Sequence, residues 1–318
     1  MFVSLNTINM MGTSGELFVS LPTGCRICYQ TFGNPSDTAI LVIDGHGQSM
    51  DQKSSILVRL LSSSDHPHFL INFDPRDTGR STSFPKLPHG RPAYTLSNMA
   101  DDVVGLIKHL RLERVHVVGR SMGGPISWLV AGRLSNVVKS LALVSTSPVG
   151  LAPSAADNLP PPKNMLQDLF TDSFVTTDDL GDHEGWINLY TALDLSVATQ
   201  PPTEEEKAES RSMSENAYRR ERESGTIWTK SNHSVVSGGR WPREALKRVS
   251  CPTVVIHMAD DQLFPIEYSE ALRDDVEGEK LVVIEDCGHE LPLRARQPLA
   301  DAILANVRKG EQVKANGN

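Results

Sequence analysis

The sequence predicts an α/β protein with a mostly parallel central sheet flanked by helices, and three observations carry that prediction. Short apolar runs recur along the chain. Segments with a helical period separate them. One run passes through a glycine-rich turn directly into a further apolar stretch. The runs cover residues 39–43, 69–73, 114–118, 140–144, 253–257 and 280–284. They are nearly continuous rather than alternating, as expected of strands covered on both faces. Before them, Gly24 to Tyr29 reads as a strand after a turn, so the Cys25-x-x-Cys28 pair is expected to be structural.

Between the second and third runs, Met99, Val103, Ile107 and Leu110 form one apolar stripe at the 3.6-residue period. Ser97 is the expected N-cap, with Asp101 and Asp102 near the positive end of the helix dipole. Leu299, Ile303 and Val307 repeat the design after Pro298, and beyond Lys309 the chain turns polar. Residues 151–240 break the rhythm. Prolines at 160–162 and 201–202 punctuate them, and Thr203 to Glu206 is a capping box starting a charged helix to about Glu223. Its charges read as a solvated face. Met165, Leu166, Leu169, Phe170, Trp186, Leu189 and Tyr190 give the segment an apolar side. The expected organisation is a catalytic core of residues 1–150 and 241–318 with a helical cap over 151–240.

With 318 residues, 39% hydrophobic and 22% charged, the chain has the composition of an ordinary globular protein and enough length for a sizeable core. A net charge of −8 argues against nucleic acid and against an anionic membrane surface. The stretch from Met1 to Met11 carries no basic region and is broken by polar residues, and no run approaches the roughly 20 apolar residues of a membrane span. Four sparse cysteines suit a reducing compartment. The expectation is a cytoplasmic protein, monomer or homodimer, that acts on a small molecule.

The chemistry centres on Gly119-Arg120-Ser121-Met122-Gly123-Gly124, which follows the third strand and opens a helix. This is G-x-S-x-G in the strand–turn–helix setting that projects the serine at the sheet edge. A serine hydroxyl needs a base. Among ten histidines, His289 stands in a loop just after the last strand, whereas His116 and His257 lie within strands. The orienting acid is expected where the preceding strand ends, at Asp261, with Asp260 as the alternative. An oxyanion needs two amides. Met122 supplies one, and the loop Asp44-Gly45-His46-Gly47-Gln48 the other, through His46 or else Gln48. His46 has no second ligand at a metal-binding spacing.

These motifs resemble the α/β-hydrolase superfamily over roughly residues 20–310. The turn Asp74-Pro75-Arg76-Asp77-Thr78-Gly79-Arg80-Ser81-Thr82, the elbow at 115–124 and Gly288-His289-Glu290-Leu291-Pro292 are similar to aclacinomycin methylesterase-like hydrolases. The resemblance implies hydrolysis, without a cofactor, of a carboxylic ester of a small apolar, polyketide-type molecule; the same residues also suit a lactone or thioester. It leaves C–C cleavage, a lyase or cyclisation step, and a non-enzymatic ligand receptor as alternatives. Two departures stand out: Arg120 before the serine, and the polar pair Asp44 and His46 in the oxyanion loop.

Overall fold

A computed structural model describes residues 13–63, 66–85, 92–161, 183–276 and 280–313. Eight strands form one sheet: β1 (Leu17–Ser20), β2 (Arg26–Phe32), β3 (Thr38–Ile43), β4 (His68–Phe73), β5 (Val115–Arg120), β6 (Val138–Val144), β7 (Thr253–Met258) and β8 (Lys280–Ile284). Their order is β1-β2-β4-β3-β5-β6-β7-β8. The β1–β2 and β2–β4 pairings are antiparallel, and every pairing from β4 through β8 is parallel. All six apolar runs are strands. β1 is an addition: four residues at the sheet edge, with one side chain buried, give too short an alternation to read.

Among the described residues eight α-helices accompany the sheet: α1 (Lys53–Ser62), α2 (Leu96–His109), α3 (Gly123–Arg133), α4 (His183–Ser196), α5 (Glu204–Ser224), α6 (Asn232–Ser237), α7 (Ile266–Asp275) and α8 (Leu293–Gln312). Alternate strand residues split the core into two layers. Leu41, Ile43, Leu141 and Leu143 pack under α2, α3 and α7, while Ile40, Val42, Ala142 and Val144 face α1 and α8. Each fully buried aliphatic side chain contributes about 1.5–3 kcal/mol relative to exposure. The chain leaves β3 for α1 on one face and β5 for α3 on the other. Adjacent strands whose continuations diverge open a crevice at their carboxyl ends, the usual ligand position in such sheets.

Helix α2 starts two residues earlier than Ser97 implies. Thr95 is its N-cap, and the Thr95 N–H donates to Asn98 Oδ1 at 3.0 Å. Asp102 does not serve the helix dipole: it is buried and accepts from Arg76 Nε at 2.7 Å. The Thr203 capping box is present, with Glu206 N donating to Thr203 Oγ1 at 3.2 Å. The solvated-face reading of α5 fails at its C-terminal end, where Arg220 and Glu221 are buried. Arg220 donates to Glu16, Asp51 and Asp74 at 2.7–2.8 Å.

The segment between β6 and β7 leaves and returns at one point. Gly150 and Arg240 form an antiparallel bridge, and Trp241 N donates to Val149 O at 3.2 Å. Met165, Leu166, Leu169 and Phe170, like Met1 to Met11, lie outside the described residues. Among the described residues no helix is long and apolar enough to cross a membrane.

Candidate active site

Ser121 follows the last residue of β5 and carries φ +52°, a left-handed conformation that costs a non-glycine residue about 1–2 kcal/mol. Its own backbone holds it there. Ser121 N donates to Val144 O at 3.0 Å, and Ser121 O accepts from Gly124 N at 2.9 Å and from Thr146 Oγ1 at 2.7 Å. Two glycines are required by close approach. A Cβ on Gly119 would lie 2.3 Å from Ser127 Oγ, and one on Gly123 2.1 Å from Ile43 O. The elbow therefore packs directly onto β3.

His289 and Asp261 meet across two loops at the same sheet edge. His289 Nδ1 lies 2.9 Å from Asp261 Oδ2. The other carboxylate oxygen accepts from Leu263 N at 2.8 Å and Phe264 N at 3.0 Å. Burial pushes the Asp261 carboxyl up, but His289 and these donors outweigh it and hold it below its usual value. An ionised acceptor on Nδ1 requires the proton there, which leaves Nε2 able to take another. Asp260 is exposed, and its amide donates to Cys287 O, so the carboxylate that reaches the imidazole is that of Asp261. Ser121 and His289 line one cavity of about 220 Å³. Among the described residues no hydrogen bond joins Ser121 Oγ to His289.

The loop after β3 runs past the serine. A Cβ on Gly45 would lie 2.9 Å from Ser121 Cβ and 3.3 Å from Oγ. Gly47 N donates to His233 Nδ1 at 3.1 Å, and Gln48 N to Gly45 O at 3.3 Å. His46 Nε2 is 2.9 Å from Ser234 Oγ, and burial lowers the His46 pKa to about 3. Met122 is the N-cap of α3, at the positive end of that helix.

The opposite wall comes from α4 and from residues 227–234. Trp186 and Tyr190 stack at 4.7 Å, and Trp228 stands half-exposed at the cavity edge. Two charged pairs sit among them. Lys53 Nζ meets Asp194 at 2.6 Å, and Lys230 Nζ meets both Glu221 oxygens at 2.8 and 3.0 Å. Neither pair is legible in the sequence, because each joins ordinary charged positions distant along the chain or within a charged helix. The Asp74 to Thr82 turn supports the site from beneath. Asp74 accepts from Met50 N at 2.8 Å, and Asp77 accepts from Tyr94 Oη at 2.6 Å and Asn232 Nδ2 at 3.0 Å. Among the described residues no group of three or more His, Cys, Asp or Glu side chains could hold a metal ion.

A family profile described as the alpha/beta hydrolase fold matches residues 38–294. The chain belongs to the α/β-hydrolase family. Within that family it is similar to rhodomycin D methylesterase DauP of Streptomyces sp. (strain C5), 25% identical over 87% of this chain and 93% of the relative. It is also similar to a 2-hydroxy-6-oxo-2,4-heptadienoate hydrolase of Pseudomonas putida, 24% identical over 65% of this chain and 67% of that one. Among solved structures, an esterase from Exiguobacterium antarcticum superposes with a TM-score of 0.70 at 20% identity, covering 92% of this chain and 98% of its own.

Proposed function

We propose that the chain is a serine hydrolase that cleaves a carboxylic ester of a small, largely apolar molecule through an acyl-enzyme. The observation that carries this reading is the strained Ser121, held at φ +52° on the cavity that His289 also lines, with Asp261 behind the imidazole. Ser121 Oγ attacks the carbonyl carbon as His289 Nε2 takes its proton. Asp261 holds the tautomer and stabilises the imidazolium. The proton then passes to the departing alcohol oxygen, and a water activated by His289 releases the acid. Catalytic hydrogen bonds tighten on substrate binding, so the missing Ser121–His289 bond does not weigh against this sequence.

The amides of His46 and Met122 hold the oxyanion. Gln48, the other candidate, has its amide committed to Gly45 O, which supports the choice of His46. Residues 151–240 act as the cap, and the Trp186–Tyr190 stack and Trp228 give an apolar, planar-sided substrate its walls. The methylesterase relative supports an ester substrate; its polyketide type and a reaction without a cofactor are what the resemblance to aclacinomycin methylesterase-like hydrolases implies. Four free thiols, three of them buried, support an intracellular setting.

The test is turnover of p-nitrophenyl esters from acetate to octanoate by wild type and Ser121→Ala. Wild-type turnover that falls about 10⁴-fold or more in the variant is expected. Turnover that survives the substitution would refute the acyl-enzyme. A second reading, hydrolysis of a C–C bond beside a carbonyl, is favoured by the similarity to the heptadienoate hydrolase. It predicts cleavage of a 2-hydroxy-6-oxo-dienoate that exceeds cleavage of any simple ester.

A further inference from the structure

Arg120 is the last residue of β5, immediately before Ser121, and is buried. The parallel register that sets Ile43 beside Gly119 puts Asp44 beside Arg120 one step further on. Arg120 Nη1 donates to Asp44 Oδ1 at 2.9 Å, and Nη2 donates to the His289 carbonyl oxygen at 2.7 Å. Asp44 Oδ1 also accepts from Gly45 N at 2.6 Å. One side chain thus joins the loop that passes Ser121, the strand that carries it, and the main chain of His289.

This arrangement is a poor way to stabilise a fold. Desolvation of two buried charges rivals their attraction, and a well-packed apolar pair often does as well or better. Asp44 Oδ2 and Arg120 Nε, both buried, have no hydrogen-bond partner in the structure among the described residues, which adds to the cost. The guanidinium is instead suited to geometry. Its planar fork fixes two acceptors at once, which a single ammonium does not. The adjacent carboxylate cancels its charge, so little net field is left for an anionic intermediate.

We propose that Arg120 is a positioning residue that, with Asp44, sets the spacing between the Gly45–His46 loop and the His289 main chain on either side of Ser121. The inference rests on the hydrolase reading above. A loop displaced by about 1 Å from the reacting atoms can cost on the order of 10²-fold in rate, and substrate binding to the far wall is untouched.

The experiment compares wild type with Arg120→Met, Arg120→Lys, Asp44→Asn and the double variant Asp44→Asn/Arg120→Met. It reads kcat and KM on a p-nitrophenyl ester, the rate of Ser121 labelling by a fluorophosphonate per folded molecule, and the melting temperature. Arg120→Met is expected to lose about 10²-fold in both kcat and labelling rate with KM within about 3-fold. Arg120→Lys is expected to recover less than about 3-fold of that loss. Asp44→Asn, which keeps an acceptor in place, is expected to lose about 10-fold, and the double variant to be no worse than Arg120→Met.

Folded Arg120→Met that labels and turns over within about 3-fold of wild type would overturn the proposal. Near-complete rescue by lysine would also overturn it, because charge alone would then suffice. Should Arg120→Met fail to fold, Asp44→Asn decides by the same two rates: a loss of about 10-fold supports the spacing role, and rates within about 3-fold of wild type refute it. A wild type that is never labelled at Ser121 would instead sink the hydrolase reading itself, and this proposal with it.

Discussion

The two walls of the cavity are held by different means. On the sheet side, Ser121 is placed by main-chain hydrogen bonds, and Gly123 by a close approach to the Ile43 carbonyl that leaves no room for a methyl group. On the other side, α4, α5 and α6 are held by side-chain charges and imidazoles: Lys53 to Asp194, Lys230 to Glu221, Arg220 to Asp74 and His233 to Gly47. Backbone contacts have one solution and ignore pH. Buried charges have a large cost when one partner is removed, and they titrate. Ser121 therefore sits on a main-chain framework that pH does not loosen, with one buried charge pair, Arg120 to Asp44, beside it, while the opposite wall is tied down mainly by contacts that pH can loosen.

The sharpest way to break this contrast is at Arg220. Arg220→Met should cost about 3–5 kcal/mol, because buried Asp74 loses its cationic partner and retains only neutral donors. Urea unfolding would measure it; a loss below about 1 kcal/mol would mean that the α5 charges are interchangeable with apolar contacts.

A smaller effect is expected from acid. Burial pushes the His233 pKa down to about 4 against Asp77, which opposes it, so the folded protein keeps the ring neutral. Between about pH 6.5 and 4 the unfolded chain binds the extra proton, and stability falls as pH is lowered through that window. The contribution is on the order of 3 kcal/mol. His46 acts in the same direction. Melting temperature against pH should therefore slope downward toward acid in wild type and less steeply in His233→Gln. Equal slopes would assign the effect elsewhere.

The smallest expected change refines the apolar side of the far wall. Trp228 is 56% exposed, so Trp228→Ala should alter stability by no more than about 0.5 kcal/mol. It should raise KM for bulky esters a few-fold and leave acetate unchanged. A matching rise for acetate would place Trp228 nearer the reacting carbonyl than the cavity edge.

The sheet was legible because buried strands write themselves as local apolar runs, and the elbow because strand, glycines and helix are consecutive. Edge strand β1 was not, since four residues with one buried side chain carry too little pattern. The N-cap of α2 was misplaced because Thr95 and Ser97 are both competent caps and the surrounding packing chooses between them. At the site, Ser121, His289 and Asp261 each follow a strand, so sheet order brings them to one edge. Asp44 and Arg120 stood out singly, as unusual residues beside the motifs. Their pairing depends on the β3–β5 register across 76 residues, which no local pattern encodes. The charged helix α5 misled for a related reason: which of its arginines turns inward is decided by Asp74, a residue 146 positions away.

The bridge between Gly150 and Arg240 has a consequence for how such a chain can change. The intervening stretch begins and ends at the same spot, so the rest of the molecule experiences it as a closed loop whose length barely matters. Doubling such a loop costs only about 0.6 kcal/mol in closure entropy. Stretches of it that carry no buried tie to the core, unlike α5 with Arg220 on Asp74, can then be exchanged or lengthened while β6 and β7 keep their pairing, and the pocket lining can be redrawn around a fixed Ser121.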